Sequence, residues 1–161
     1  MCQQSIVGRG QKKVLFKKNF KFDSMEYVYI GIDSTETKQS SLDFIADIVN
    51  KPFEYWQQGS GDCAIQVKQD ERLIFFKVEK GFCMMQHPDY LVPLIGQANS
   101  LSETITHYIG GEPMKIPIIC LCDEDKALEI LQHFILTNGE LPPAYKWVDI
   151  YDYMDYERIN F

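Results

Sequence analysis

The sequence is poor in the groups that catalysis uses. It has three histidines, His87, His107 and His133. None sits in an HExxH arrangement or beside a second residue at metal-ligand spacing, so each reads as a packed or solvated side chain. There is no CxxC, no GxxxxGK[ST] phosphate loop and no GxSxG nucleophile turn. Ser34, Ser40 and Ser41 stand in polar loop sequence far along the chain from any histidine. Gly59-x-Gly61-x-x-Ala64 has the outline of a dinucleotide fingerprint, but the residues after it read as a strand. Phosphate binding needs a helix N-terminus there, so a hairpin turn is expected. From these absences we expect no catalytic residues, no cofactor, no metal and no enzyme activity.

Long hydrophobic runs are also missing. No apolar stretch approaches the roughly 18–20 residues of a membrane span, and Met1–Gly10 has no apolar core of a secretory signal. The five cysteines, Cys2, Cys63, Cys83, Cys120 and Cys122, are odd in number and scattered. That pattern fits reduced thiols in a cytoplasm better than a disulfide framework. Cys120-x-Cys122 would place two thiols on one face of a strand, but no second Cys/His pair accompanies them. They are expected to be small buried apolar groups.

What the sequence does contain suits a globular protein. Apolar residues make up 45% and aromatics 13% of 161 residues, which predicts one soluble domain over 1–161 with residues 1–10 as a flexible arm. The net charge of −7 is uneven. Residues 1–22 carry six basic side chains and no acid, a pattern read as an arm and a lysine-protected edge strand. Residues 89–161 carry twelve acids against four bases. An acidic body repels nucleic acid and attracts basic partners, so neither a nucleic-acid nor a membrane partner is expected.

Periodicity predicts an α+β fold: one antiparallel sheet with about two packed helices, one near the C-terminus. Strands are expected at Val14–Phe22, Tyr27–Ile32, Phe53–Gln58, Cys63–Lys68, Leu73–Val78, Phe82–Gln86, Thr104–Ile109, Lys115–Leu121 and Tyr145–Ile150. Asp33–Ser40 reads as a loop, and Asp89–Gly96 is ambiguous because of Pro93. Helices are expected at Leu42–Asn50, capped by Ser40 or Ser41, and at Glu124–Thr137, capped by Asp123. In the second, Ala127, Leu128, Leu131, Phe134 and Ile135 form an apolar stripe. The predicted core includes Phe75, Leu128, Leu131, Phe134 and Trp147.

The tail interleaves acids with tyrosines. Asp149, Tyr151, Asp152, Tyr153, Asp155, Tyr156 and Glu157 therefore form the candidate partner-binding segment. Tyrosine offers contact area at low rotamer cost, and acids steer a basic partner. The turns Gly59–Asp62 and Gly110–Pro113 are the alternative surface.

One segment carries a family resemblance. From Asp123 to Trp147, a helix with Ala127 and Phe134 runs into Thr137, Gly139 and Pro142 and ends in a strand with Trp147. This resembles the ending of immunity protein family one, from bacterial polymorphic-toxin systems, with Asn138 inserted between threonine and glycine. Leu73–Gly81 and the Gly110–Pro113 turn are similar in kind to features of that family. The resemblance implies a cytoplasmic antidote that binds a cognate toxin, such as a nucleic-acid-targeting deaminase or nuclease, and occludes its active site or substrate groove. The alternative is an unrelated bacterial scaffold or regulatory protein-binding domain.

Overall fold

A computed structural model describes residues 25–95 and 103–152. The predicted strand Val14–Phe22 lies outside them. The described chain is α+β, with a large antiparallel sheet as its main element. In chain order, β1 is Tyr27–Ile30, β2 Glu36–Gln39 and α1 Leu42–Val49, followed by a 3₁₀ helix at Phe53–Gln57. Then come β3 Cys63–Lys68, β4 Glu71–Val78, β5 Gly81–His87 and β6 Leu91–Leu94. A hairpin follows, β7 Thr104–Ile109 and β8 Glu112–Pro117. The 3₁₀ turn Ile118–Cys120, β9 Leu121–Cys122, α2 Glu124–Leu136 and β10 Lys146–Asp149 complete the described elements.

The strands of the large sheet run in the order β10-β6-β5-β4-β3-β1-β2, with β9 pairing a part of β5. The short turns between β3, β4 and β5 make this stretch a meander, as their spacing in the sequence predicts, and β6 extends it. Register fixes which side chains share a face. Cys63 lies opposite Phe75, and Phe75 opposite Met84. With Tyr29, Ile65 and Leu73 they form the face that carries the helices. Trp56 meets Phe75 and Phe82 edge-on there, and Phe44 of α1 meets Tyr29. On the other face stand Ile74, Phe76, Cys83 and Met85, and it is this face that the β7–β8 hairpin covers. Phe75 and Phe76 are both fully buried, so β4 is covered on both sides.

Both helices begin and end for local reasons. Ser41 Oγ accepts from Asp43 N at 3.1 Å to cap α1, whose Ile45, Ile48 and Val49 are buried. Asp123 Oδ1 accepts from Lys126 N at 2.8 Å to cap α2. Glu124 and Asp125 then occupy the positive end of the helix dipole, where Glu124 pairs with Lys77 of the sheet at 2.8 Å. The stripe of α2 is Ala127, Ile130, Leu131, Phe134 and Ile135. Ile130 takes the place expected for Leu128, which is only partly buried, as is Trp147. Among the described residues no helix is long and apolar enough to cross a membrane.

Several expectations are corrected. Phe53–Gln58 is not a strand but a 3₁₀ helix started by Pro52. A three-residue period turns Trp56 into the core between Phe75 and Phe82, and that burial overrides the strand preference of aromatics. Glu36–Gln39 is not loop but an edge strand on β1, polar because it has no buried face to advertise it. Leu91–Leu94 is a strand despite Pro93. Thr104–Ile109 does not join the large sheet; it pairs only with β8 in a separate two-stranded sheet. The strand expected to reach Leu121 ends at Pro117. Cys120 therefore sits on a 3₁₀ turn, its Sγ donating to the Pro117 carbonyl at 3.0 Å, and does not share a strand with Cys122.

Candidate functional site

The hairpin that covers one sheet face creates the site. Its turn residues, Gly110 and Gly111, have φ of 60° and 87°. Two successive positive φ values are what a tight two-residue hairpin turn demands, and glycine meets them without strain. Three contacts dock the hairpin. His107 stacks on Phe76 with ring centroids 4.6 Å apart. His107 Nε2 donates to the Gly61 carbonyl at 2.9 Å, and Gly110 N donates to the Ser60 carbonyl at 2.8 Å. Gly61 itself has φ of 83°, and a Cβ there would lie 2.4 Å from the Tyr108 carbonyl oxygen. The Gly59–Asp62 turn is thus the seat of the hairpin, followed directly by β3 and not by a helix.

A groove opens on each side of the hairpin. The first, of about 520 Å³, is lined by Phe53, Trp56, Val78, Ile105 and Tyr108, with Glu79 beside them. The buried Trp56 Nε1 has no hydrogen-bond partner among the described residues. The second, of about 510 Å³, is the more apolar. Ile74 and Met85 of the sheet line it together with Ile109, Pro113 and Met114 of the hairpin. Tyr90, Ile150 and Tyr151 line it from the chain's C-terminal part, and Asp62, Glu112 and Lys115 supply its charges. Tyr90 and Tyr151 meet edge-on at 5.5 Å, and Ile150 N donates to the Tyr90 carbonyl at 3.0 Å. Desolvation raises the Asp62 carboxyl above its usual range, outweighing the lowering by Ser60 and His107.

The structure divides the sequence-predicted site residues. Tyr151 is 55% exposed and lines the second groove. Asp149 ends β10, and its Oδ1 accepts from Tyr151 N at 2.8 Å and Asp152 N at 3.3 Å. Asp149 is thus a cap for the helical turn that starts at Ile150, a local structural role. Asp152 is exposed. Tyr153, Asp155, Tyr156 and Glu157 lie outside the described residues. Tyr90, Met85 and Met114 do not stand out in the sequence as site residues, and Asp62 enters only as the end of the alternative turn Gly59–Asp62. Nothing in local periodicity links them, because segments far apart in the sequence meet in the groove. The alternative turns, Gly59–Asp62 and Gly110–Pro113, do meet, and each contributes to it.

The residues of Asp123–Trp147 that carry the resemblance have structural roles. Ala127 and Phe134 are buried core. Thr137 Oγ1 donates to the His133 carbonyl at 2.7 Å and accepts from Glu140 N at 3.1 Å. Gly139, at φ of 106°, returns its N–H to the Phe134 carbonyl at 2.8 Å. Trp147 Nε1 donates to the Pro142 carbonyl at 3.1 Å. These residues stop a helix and turn the chain back into the sheet.

Thiol and phenol groups elsewhere are held in their neutral forms. Tyr29 Oη lies 3.1 Å from Cys63 Sγ and 3.5 Å from Tyr55 Oη. Burial pushes the Cys63 and Cys122 thiols up to about 12 and raises the Tyr29 phenol as well. A hydrogen bond with Cys120, together with burial, raises Cys83. Such thiols are poor nucleophiles. Among the described residues, no group of three or more His, Cys, Asp or Glu side chains is placed to hold a metal ion. The chain matches no protein-family model, no curated protein and no solved structure.

Proposed function

We propose that this protein acts by binding another protein, as an antidote that covers the active site or substrate groove of a cognate toxin. The observation that carries the binding reading is the placement of two exposed tyrosines. Tyr108 and Tyr151, at 61% and 55% exposure, are the large hydrophobics most open to solvent among the described residues. Each lines one of the two grooves that flank the same hairpin. Exposed aromatics gathered beside apolar grooves mark interaction surfaces, and tyrosine is enriched among binding hot spots. The acidic balance of residues 89–161 adds long-range attraction for a basic partner. The antidote reading itself is supported by the resemblance of Asp123–Trp147 to immunity protein family one. A toxin acting on nucleic acid has a basic substrate cleft to offer, which complements an acidic antidote. Inhibition is stoichiometric, by occlusion, and needs no catalytic group or cofactor.

The test is co-expression of the chain with the polypeptide encoded beside it. The proposal expects that polypeptide to be toxic alone, growth to be restored by co-expression, and the two chains to co-purify in fixed stoichiometry. A neighbour that is harmless, or one whose toxicity the chain leaves unchanged, counts against the antidote. In that case, co-purification with a non-toxic partner would favour a scaffold or regulatory domain.

A further inference from the structure

We infer that the groove between the hairpin and Tyr90–Tyr151 is a receptor for one arginine side chain of the protein partner. The inference rests on the protein-binding reading and adds the chemical group that is recognised. Its first ground is a half-buried carboxylate with no ion-pair partner among the described residues. The ion pairs within the described residues are Lys68–Glu71 and Lys77–Glu124, and neither involves Asp62 or Glu112. Asp62 is half-buried against an apolar wall, so its charge is partly desolvated and meets no described cation at ion-pair distance. The charged groups lining the groove are Asp62, Glu112 and Lys115, with His107 close behind Asp62. The balance favours a cation.

The second ground is the apolar lining. Ile74 and Met114 offer apolar surface for a methylene stem, with the buried Met85 directly behind them, and methionine adapts its shape to what it meets. Tyr90 and Tyr151 supply aromatic surface. A guanidinium suits this combination better than an ammonium. It is more weakly hydrated, stacks on aromatic rings and bonds carboxylates through a rigid fork. Asp62 thus costs the free protein stability and recovers that cost when the partner arrives.

The test uses the purified full chain with N-acetyl-arginine methylamide as the probe. N-acetyl-citrulline methylamide, a neutral compound of nearly the same shape, is the comparison. The readout is the methyl NMR signals of Met85 and Met114. The arginine probe should shift both saturably, and the citrulline probe should bind at least about ten-fold more weakly. Asp62→Asn should bring arginine binding down to the citrulline level while the protein stays folded. Lys115→Ala keeps Asp62 and removes the competing cation, so it should tighten arginine binding by about two-fold at low salt. Equal binding of the two probes, or no shift with either, overturns the inference. So does unchanged arginine binding in Asp62→Asn; if that variant does not fold, a Lys115→Ala protein that binds no tighter than wild type is decisive. No toxin enters this experiment, so its failure and the failure of the antidote reading are separate results.

Discussion

The imidazole of His107 lies flat against the phenyl ring of Phe76, with planes 3° from parallel and centroids 4.6 Å apart. This stack joins the β7–β8 hairpin to the sheet, and the same histidine reaches the Gly61 carbonyl. Both grooves exist because the hairpin is held here and by the Gly110 N–Ser60 carbonyl bond.

Hairpin docking should be lost selectively in Gly61→Ala. The added methyl meets the Tyr108 carbonyl oxygen at 2.4 Å, and φ of 83° is strained for alanine. Gly111→Ala shares the positive φ but meets nothing within 4 Å. Both variants should lose about 1–2 kcal/mol to the backbone term, and Gly61→Ala should lose clearly more. Thermal unfolding gives the totals. Hydrogen exchange at residues 104–117 should rise far more in Gly61→Ala than in Gly111→Ala.

How much of this was legible in the sequence follows from where the signals lie. The capped helices announced themselves, because Ser41, Asp123, Pro52 and Gly139 act on their own neighbours. The meander was readable from its short turns. Glu36–Gln39 was not, because an edge strand held only by backbone bonds leaves no apolar alternation. Phe53–Gln57 was misread because the burial of Trp56 by distant Phe75 and Phe82 decides its form. Within the acidic tail the sequence does not distinguish Tyr151, which lines a groove, from Asp149, whose carboxylate caps a turn. The groove itself depends on long-range pairing that brings Asp62, Tyr90 and Met114 together.

Asp62 should trade stability for binding. Its folded-state pKa is raised above 3.8, chiefly by desolvation. A raised acid contributes stability that is fully present below its unfolded pKa and lost as pH rises through the folded value. At pH 7 the ionised carboxylate is therefore a burden. Asp62→Asn should melt at the same temperature as wild type or higher at pH 7, and this advantage should shrink as pH falls towards 4. Melting curves across that range check the sign.

The buried thiols make a parallel prediction at alkaline pH. Cys63 and Cys122 are raised from 9 to about 12 by burial. Their contribution is intact below pH 9 and is lost between pH 9 and 12, so stability should fall steeply there. At pH 8 the four thiols of Cys63, Cys83, Cys120 and Cys122 are all buried. They should resist a thiol-reactive dye in the native protein and react in denaturant. Rapid native reaction at any of them would refute the buried assignment.

Asp149 and Asp152 should separate into different roles. Asp149 caps the turn at Tyr151 and Asp152, so Asp149→Ala should cost about 1 kcal/mol of stability. Asp152 is exposed, so Asp152→Lys should leave the melting temperature unchanged. It should slow association with a basic partner at low salt, with the difference fading as salt is added. Stopped-flow rates at two ionic strengths decide this. An association rate unaffected at low salt would remove Asp152 from the steering surface.

The most direct measurement is the lifetime of the complex that the proposed function expects, with the toxin it places beside this chain, for wild type and for a Tyr108→Ala/Tyr151→Ala double variant. Both tyrosines are exposed, so the variant should keep the wild-type fold, with only the small loss of melting temperature that the Tyr90–Tyr151 contact accounts for. If the grooves beside the hairpin form the binding surface, the complex should dissociate about a hundred-fold or more faster when both anchors are gone. A folded double variant that holds its partner as long as the wild type does would contradict the account.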